Sequence, residues 1–431
     1  MRSYRPYLIG FFLAVIYAVP VTQTAIELYR GDRPQFLDVF TQRPTSANLR
    51  SFERALERAS VLNRFVRPWT QYLWYEALRD PGDKAVLGRG GWLFYKPDVR
   101  YLVEPAPDDA LPAIITFRGQ LARRGIRLMV MPVPGKPSIY PDRITGRADF
   151  ADGSVSWHTS DLIARLRRSG VETIDLLDAF VSWRRDGGAA APLYLEHDTH
   201  WSGDTARRAA ELVAARIHAL GWFEGGSTGY AEKPVSIRRR GDVIRMMDVP
   251  RLESSFPVEQ VWCEQVVRAD SGERYKDDPH SPVLILGDSF LRMYQTDEPM
   301  AAGFIAHLAR KLGAPLASIV NDGGASTLVR QQLSRRPELL EGKRVVIWEF
   351  VERDVRFGTD GWQDVPLPEE VRGAPSKRSV SESKDRRFSV CISGQCLCAS
   401  LNDHPLELFS AADQHRGTPI LEWNCGIRSV R

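Results

Sequence analysis

With 431 residues, 43% hydrophobic and 26% charged, the chain has a globular composition and the length to bury a full core, which excludes a fibrous or intrinsically disordered protein. A formal charge of only +4 leaves no electrostatic footprint for nucleic acid, so no nucleic-acid partner is expected. Of the five cysteines, Cys263 alone lies in the body, while Cys391, Cys396, Cys398 and Cys425 crowd into the last stretch.

Taken in chain order, Arg2 and Arg5 precede an apolar run from Tyr7 to Val19, the pattern of an export signal. Residues 1–25 are read as a signal peptide or signal anchor. The anchor is favoured because no small-x-small cleavage site follows Pro20 and Thr22 to Ala25 extend the run towards the about 20 residues that cross a membrane. Residues 26–85 are polar, arginine-rich and helix-compatible, with Phe52, Phe65, Trp69, Tyr72, Trp74 and Tyr75 at mixed spacing. They form a helical lead-in that holds the body off the membrane or packs on it, and the aromatics are read as packing.

The main domain, residues 86–365, opens at the glycine turn Gly88 to Gly91, which enters a strand at Trp92 to Tyr95. Helix then strand follows twice, as Ala110–Arg124 with Ile126–Val133 and Asp161–Ser169 with Val171–Leu176. Thr205 to Leu220 is an amphipathic helix closed by Gly221, and Val283–Leu286, Leu316–Val320 and Arg344–Phe350 are short apolar runs bounded by turns. Alternation of this kind predicts an α/β fold, about five parallel strands covered by helices. Gly226 to Arg268 shows mixed charge and no clean period, and reads as an insertion of loops and short strands. Residues 366–431 read as a disordered or aberrant tail, and the irregular cysteine spacing argues against a zinc site there.

Two short stretches carry chemistry. In Ser281 to Phe290 a buried-strand run ends at Gly287-Asp288-Ser289, which sets a serine hydroxyl at the carboxyl end of a parallel sheet, where backbone N–H groups can stabilise an oxyanion. A helix cap is the plain alternative, since Asp and Ser are favoured there. A serine nucleophile needs a base, and the base an orienting acid. The loop Glu196-His197-Asp198-Thr199-His200-Trp201-Ser202 supplies both, with His200 as base and Asp198 as its partner. His197 is the second candidate base; a metal set of His197, Asp198, His200 and Asp204, or simple capping of the following helix by Asp198 or Ser202, are the rival readings.

Together, Asp198-Thr199-His200-Trp201, Gly287-Asp288-Ser289-Phe290, Asn321-Asp322-Gly323-Gly324-Ala325-Ser326 and Trp348-Glu349-Phe350-Val351-Glu352-Arg353-Asp354 resemble the alginate O-acetyltransferase family, from about Gly88 to Asp354. Gly91-Trp92-Leu93-Phe94 and Val133-Pro134-Gly135-Lys136-Pro137 join the resemblance. It implies an SGNH-hydrolase-like domain in circularly permuted order, with Asp-x-His ahead of the serine. Ser289 is then the nucleophile, His200 the base and Asp198 the acid, as the chemistry alone suggests. The turn holding Asn321, Gly323 and Gly324 supplies part of the oxyanion hole with the Ser289 N–H, although Asp322 departs from the shorter Asn-Gly-Gly form. Lys136 is a candidate contact for a carboxylated sugar.

The expectation is therefore a periplasmic O-acetyltransferase, anchored at the inner membrane, that moves an acetyl group through a serine acyl-enzyme to hydroxyls of an alginate-like exopolysaccharide. No cofactor and no metal are expected, and a membrane-bound O-acyltransferase partner is implied as acetyl donor. A carbohydrate acetyl esterase, a non-catalytic polysaccharide assembly protein and a metal-dependent hydrolase are the alternatives.

Overall fold

In the computed structural model the described residues are 5–41, 43, 45–104, 109–147, 156–187, 192–247, 249–368, 389–392 and 395–398. The chain begins with α1 (Arg5–Arg30), long and apolar enough to cross a membrane by length and composition and unburied along that span. Two more helices follow, α2 (Ser46–Ala59), capped by Thr45 Oγ1 accepting the Asn48 N–H, and α3 (Val61–Leu78). A small antiparallel pair, β1 (Ala85–Leu87) and β2 (Leu93–Tyr95), then leads into the body.

Body elements come in the order α4 (Ala110–Ala122), β3 (Arg127–Val133), α5 (Trp157–Arg168), β4 (Glu172–Thr173), α6 (Leu176–Gly187) and α7 (Gly203–Ala219). An antiparallel arm follows, β5 (Tyr230–Arg239) with β6 (Glu259–Arg268). The body closes with β7 (Val283–Gly287), α8 (Phe304–Leu312), β8 (Ala317–Val320), α9 (Leu328–Arg335) and β9 (Val345–Val351). The sheet order is β4-β3-β9-β7-β8, five strands and all parallel. The α/β expectation is met strand for strand.

Why these runs become central strands follows from their burial on both faces. Met129, Met131, Ile285 and Ile347 face one layer, formed by α6, α7 and α8, while Leu128, Val130, Leu286, Val346 and Trp348 face the other, formed by α4, α5 and α9. Side chains alternate across a strand, so a strand covered twice must be apolar at every position. A third apolar cluster ties Tyr75 of α3 and Leu93 of β2 to Val243, Ile244, Leu252 and Phe256 in the segment between the arm strands. That segment, within the stretch expected as loops and short strands, is thus packed into the body.

Glu370–Arg431 forms a separate unit. Within it β10 (Ser389–Ile392) and β11 (Gln395–Cys398) make an antiparallel ribbon that pairs Cys391 with Cys396, local order that the sequence reading lacked. At the start of the expected disordered tail, Leu367 is instead buried against the body and donates its N–H to Gln120 Oε1 at 3.1 Å; the remainder lies outside the described residues.

Candidate active site

Parallel strands place their carboxyl ends at one edge, and β7 ends there at Gly287. The Asp288 carboxylate accepts the Phe290 N–H at 2.9 Å through Oδ1 and the Val351 N–H at 3.0 Å through Oδ2, which ties the turn to the end of β9. Below it the buried Glu349 accepts the Asp288 N–H at 2.9 Å. A Cβ on Gly287 would overlap Glu349 and Leu291, so glycine is required by close approach. Burial, then the neighbouring Asp288 charge, raises the Glu349 carboxyl well above its ordinary range. Ser289 is left as the first residue of a one-turn helix, its side chain facing the loop of residues 194–202.

That loop brings the predicted residues together. Ser289 Oγ lies 2.8 Å from His200 Nε2, and His200 Nδ1 lies 2.6 Å from Asp198 Oδ1. With Nδ1 protonated towards Asp198, Nε2 is free to accept the serine proton. The ring of Phe290 lies 4.9 Å from that of His200, giving the imidazole an apolar wall. Ser202 caps α7 by accepting the Thr205 N–H at 3.3 Å, so the helix start falls to Ser202 and leaves Asp198 to His200.

Residues from the arm, missed in the sequence, complete the surroundings. Arg239 Nε donates to Asp198 Oδ2 at 2.9 Å, and the Asp242 N–H donates to the same oxygen at 3.1 Å. The Asp242 carboxylate accepts from Thr199 N–H at 2.7 Å and Thr199 Oγ1 at 2.6 Å, and lies 3.5 Å from His200 Nδ1. Burial alone would raise the Asp198 carboxyl, but His200 and Arg239 outweigh it and hold the group well below its usual range. For His200, burial pulls the pKa down, and Asp198 and then Asp242 more than offset this, leaving a raised value that Arg239 moderates. Asp242 is itself raised by burial and by the Asp198 charge. Only one signal hinted at these partners, the Arg238-Arg239-Arg240-Gly241-Asp242 run, whose charge a buried Asp-His pair needs.

His197 does not reach the serine. Its ring contacts Glu259 at 3.1 Å, and the same carboxylate accepts the N–H groups of Glu196 and His197, each at 2.9 Å. Lys136 is corrected as well. The ammonium is buried and donates to the carbonyls of Leu195, Glu196 and Asp198 at 3.0, 3.0 and 2.7 Å, so no proton remains for a sugar. Burial brings its pKa down to about 8, against the pull of Asp198 and Asp242.

The turn after β8 stands beside Ser289, because Gly287 pairs with Val320. Its glycine N–H groups are engaged within the turn: Gly323 donates to Asn321 Oδ1 at 2.8 Å and Gly324 to Asn321 O at 3.1 Å. Gly323 and Gly324 therefore shape the turn, with their N–H groups engaged inside it. Asp322 accepts from Arg292 Nε at 2.8 Å, which accounts for the extra residue. A cleft of about 720 Å³ runs from here between Arg292, Gln295, Ser318 and Asn321. A larger cavity, about 870 Å³, lies along β4 beside Trp222 and has none of these residues in its walls.

Among the described residues one group has the spacing to hold a metal, namely Asp198, His200 and Asp242. The Asp198 oxygens already accept from His200 and Arg239, and those of Asp242 from Thr199, so the donor set is that of a hydrogen-bonded network beside a guanidinium rather than a cation cage. Asp204, weighed with them, pairs instead with Arg207 at 2.5 Å.

A parallel sheet with a serine at its carboxyl edge and an Asp-His pair reaching it from a preceding loop defines an SGNH-hydrolase-like domain. Residues 85–352 match the family described as "SGNH hydrolase-like domain, acetyltransferase AlgX", and the chain belongs to that family of acetyltransferases. It is 23% identical over 329 residues to the "Probable alginate O-acetylase AlgJ" of Pseudomonas aeruginosa, covering 72% of this chain and 80% of that one. It is 25% identical over 292 residues to the protein of the same name from Azotobacter vinelandii, covering 64% and 71%. Among solved structures, the "O-Acetyltransferase Domain of Pseudomonas putida AlgJ" aligns with a TM-score of 0.49 at 21% identity, covering 62% of this chain and 91% of that one.

Proposed function

We propose that Ser289 carries an acetyl group from a donor to a hydroxyl of an exported, alginate-like polysaccharide. The observation that carries this reading is the continuous path from Ser289 Oγ through His200 to Asp198, at 2.8 and 2.6 Å. His200 Nε2 takes the serine proton as Oγ attacks the acetyl carbonyl, and returns it to the departing donor group. A sugar hydroxyl then gives its proton to the same nitrogen and attacks the acetyl-serine, and His200 passes that proton to Ser289 Oγ as the serine leaves. The Asn321 side chain and the Ser289 N–H face the oxyanion in both steps. The cleft lined by Arg292 and Asn321 adjoins the turn beside Ser289, though neither Ser289 nor His200 lines it, and it is the approach assigned to the acceptor.

In this reading residues 1–25 anchor the chain in the inner membrane, 26–85 form the helical lead-in, 86–365 carry the chemistry in the periplasm, and 366–431 are a tail without a part in it. Acetyl-CoA is cytoplasmic, so acetyl groups have to be delivered across the membrane, and the family resemblance implies a membrane-bound O-acyltransferase as the donor partner. Family membership and the alginate O-acetylase names of the relatives support the acceptor class.

The test is mass spectrometry of the full chain after brief exposure to an activated acetyl ester, beside Ser289→Ala. An acetyl group on Ser289 that an oligomannuronate releases faster, becoming acetylated itself, is the expected result. Release to water alone would make the protein an esterase, and an equal absence of adduct in both chains would remove the serine from the mechanism.

A further inference from the structure

α3 leaves a run of large apolar side chains exposed on one face. Tyr75 on its inner side is buried against Phe256, with ring centroids 6.0 Å apart. On its outer side Phe65, Val66, Trp69, Leu73, Trp74 and Leu78 are exposed by 72, 45, 51, 59, 57 and 71%. At 100° per residue Phe65, Trp69, Leu73 and Val66 fall within one stripe about 100° wide, which the exposed Glu76 enters only at the last turn of the helix. A stripe this apolar is not left in water on a soluble protein without a partner.

Its start is fixed against α1. The Gln23 side chain accepts the Val61 N–H at 2.9 Å and donates to Ala59 O at 3.2 Å, and Glu27 accepts the Gln35 N–H at 3.1 Å. From Arg5 to Gln23 the helix rises about 27 Å, close to the roughly 30 Å of a bilayer's hydrocarbon layer. The corner where α3 begins therefore stands at the level where α1 leaves that layer. The span of α1 is unburied, so α3 does not run back along it. Lying in the plane of the interface is the course that removes its apolar stripe from water.

The flanking chemistry suits phospholipid. The Arg251 guanidinium lies 3.4 Å from the Trp69 ring centroid, so a cation and an indole sit side by side at one surface. Tryptophan is enriched at the membrane interface, and arginine there meets lipid phosphate.

We propose that the outer face of α3 is a membrane-docking surface that rests on the phospholipid interface of the bilayer entered by α1. The proposal rests on α1 being an uncleaved anchor. With both contacts made, the lead-in is a two-point mount that fixes the orientation of the catalytic body over the membrane instead of a free tether. The third apolar cluster transmits that orientation from α3 to the arm.

The test uses full-length protein with Cys391, Cys396, Cys398 and Cys425 replaced by serine and Cys263 left in its buried place. Single cysteines replace Phe12, Phe65, Leu73 or Ser271, carry an environment-sensitive fluorophore, and report in nanodiscs of phosphatidylglycerol and phosphatidylethanolamine doped with spin-labelled lipid. Labels at 65 and 73 should lose about half their emission to a spin label placed 5–10 Å below the headgroups, as an interfacial helix requires. The label at 271, on the arm's far turn, should lose none. A quenched label at 12 with unquenched labels at 65 and 73 would overturn the docking face and leave the anchor standing; energy transfer between labels at 73 of two copies would then show a self-associating face in its place. An unquenched label at 12 would overturn the anchor, and the docking face with it.

Discussion

The two halves of the candidate site are held by different kinds of structure. Ser289 stands on a strand end set by Gly287, by Asp288 capping the Phe290 N–H, and by two bonds to the neighbouring strand β9. His200 stands on a loop that has only the Tyr194–Trp201 bridge for regular structure and is held from outside. Lys136 lies 62 residues before Asp198, and Arg239 and Asp242 lie 41 and 44 residues after it. The serine half is a property of the sheet, while the base half is a property of an insertion. Substitutions should therefore separate the two, the first by eliminating chemistry and the second by detuning it.

The largest effects belong to the reacting line itself. Ser289→Ala and His200→Ala should each lower kcat for acetyl transfer by at least about 10³-fold, with little change in melting temperature, by the behaviour of serine triads. Asp198→Asn should cost nearly as much, because the amide no longer fixes the His200 tautomer and leaves Arg239 facing a neutral group. Retention of more than a tenth of wild-type transfer in Ser289→Ala would break the comparison at its root.

Next come the arm residues, where direction is the informative quantity. The Arg239 cation lowers the His200 pKa and the Asp242 carboxylate raises it. In Arg239→Met the base should stay protonated to higher pH, so the acidic limb of the kcat/KM profile moves to higher pH. Asp242→Asn should move it to lower pH. Each should also cost about 10- to 100-fold in kcat through looser placement of the imidazole. A merely structural role would lower both rates and leave the limb in place.

These contrasts also explain what could be read from the sequence. β7 and β9 are buried along their whole length, so each is an apolar run that announces itself, and Gly287-Asp288-Ser289 interrupts β7 at its end; β8, at the sheet's edge, alternates burial with partial exposure. The Asp198–His200 spacing was visible because the pair is two residues apart. The arm was not, since β5 alternates partial burial with exposure and carries Lys233, Arg238 and Arg239, so no hydrophobic period marks it. Arg239 and Glu259 sit opposite each other in the arm's register, and that adjacency exists only after the strands pair. Lys136 was misread for a related reason. A lysine in a Gly-Lys-Pro turn gives no sign that three loop carbonyls have enclosed it.

Lys136→Met offers a smaller effect that still discriminates. The change keeps the length of the stem but leaves the carbonyls of Leu195, Glu196 and Asp198 without their donor, a loss of about 2–4 kcal/mol in unfolding free energy. Activity should fall through kcat as the loop loosens. The KM for the polysaccharide should hold, whereas a lysine that touched a sugar carboxylate would raise KM and spare stability.

Asp322→Ala is the gentlest probe and tests the serine half at its rim. The Arg292–Asp322 bridge is 2.8 Å long, but the Asp322 side chain is 56% exposed, so its removal should change stability by no more than about 0.5 kcal/mol. Arg292 retains Asp297 as a second partner and stays at the cleft wall, now with one fewer carboxylate to hold it. If the cleft receives an acidic acceptor, loss of a negative charge there lowers its KM at low ionic strength, and added salt removes the gain. A neutral oligosaccharide acetylated by the same variant should show no such salt dependence. The pair of acceptors thereby separates the cleft's charge from its shape without disturbing Ser289, which lies three residues before Arg292 on a turn that Asp288 and β9 continue to hold.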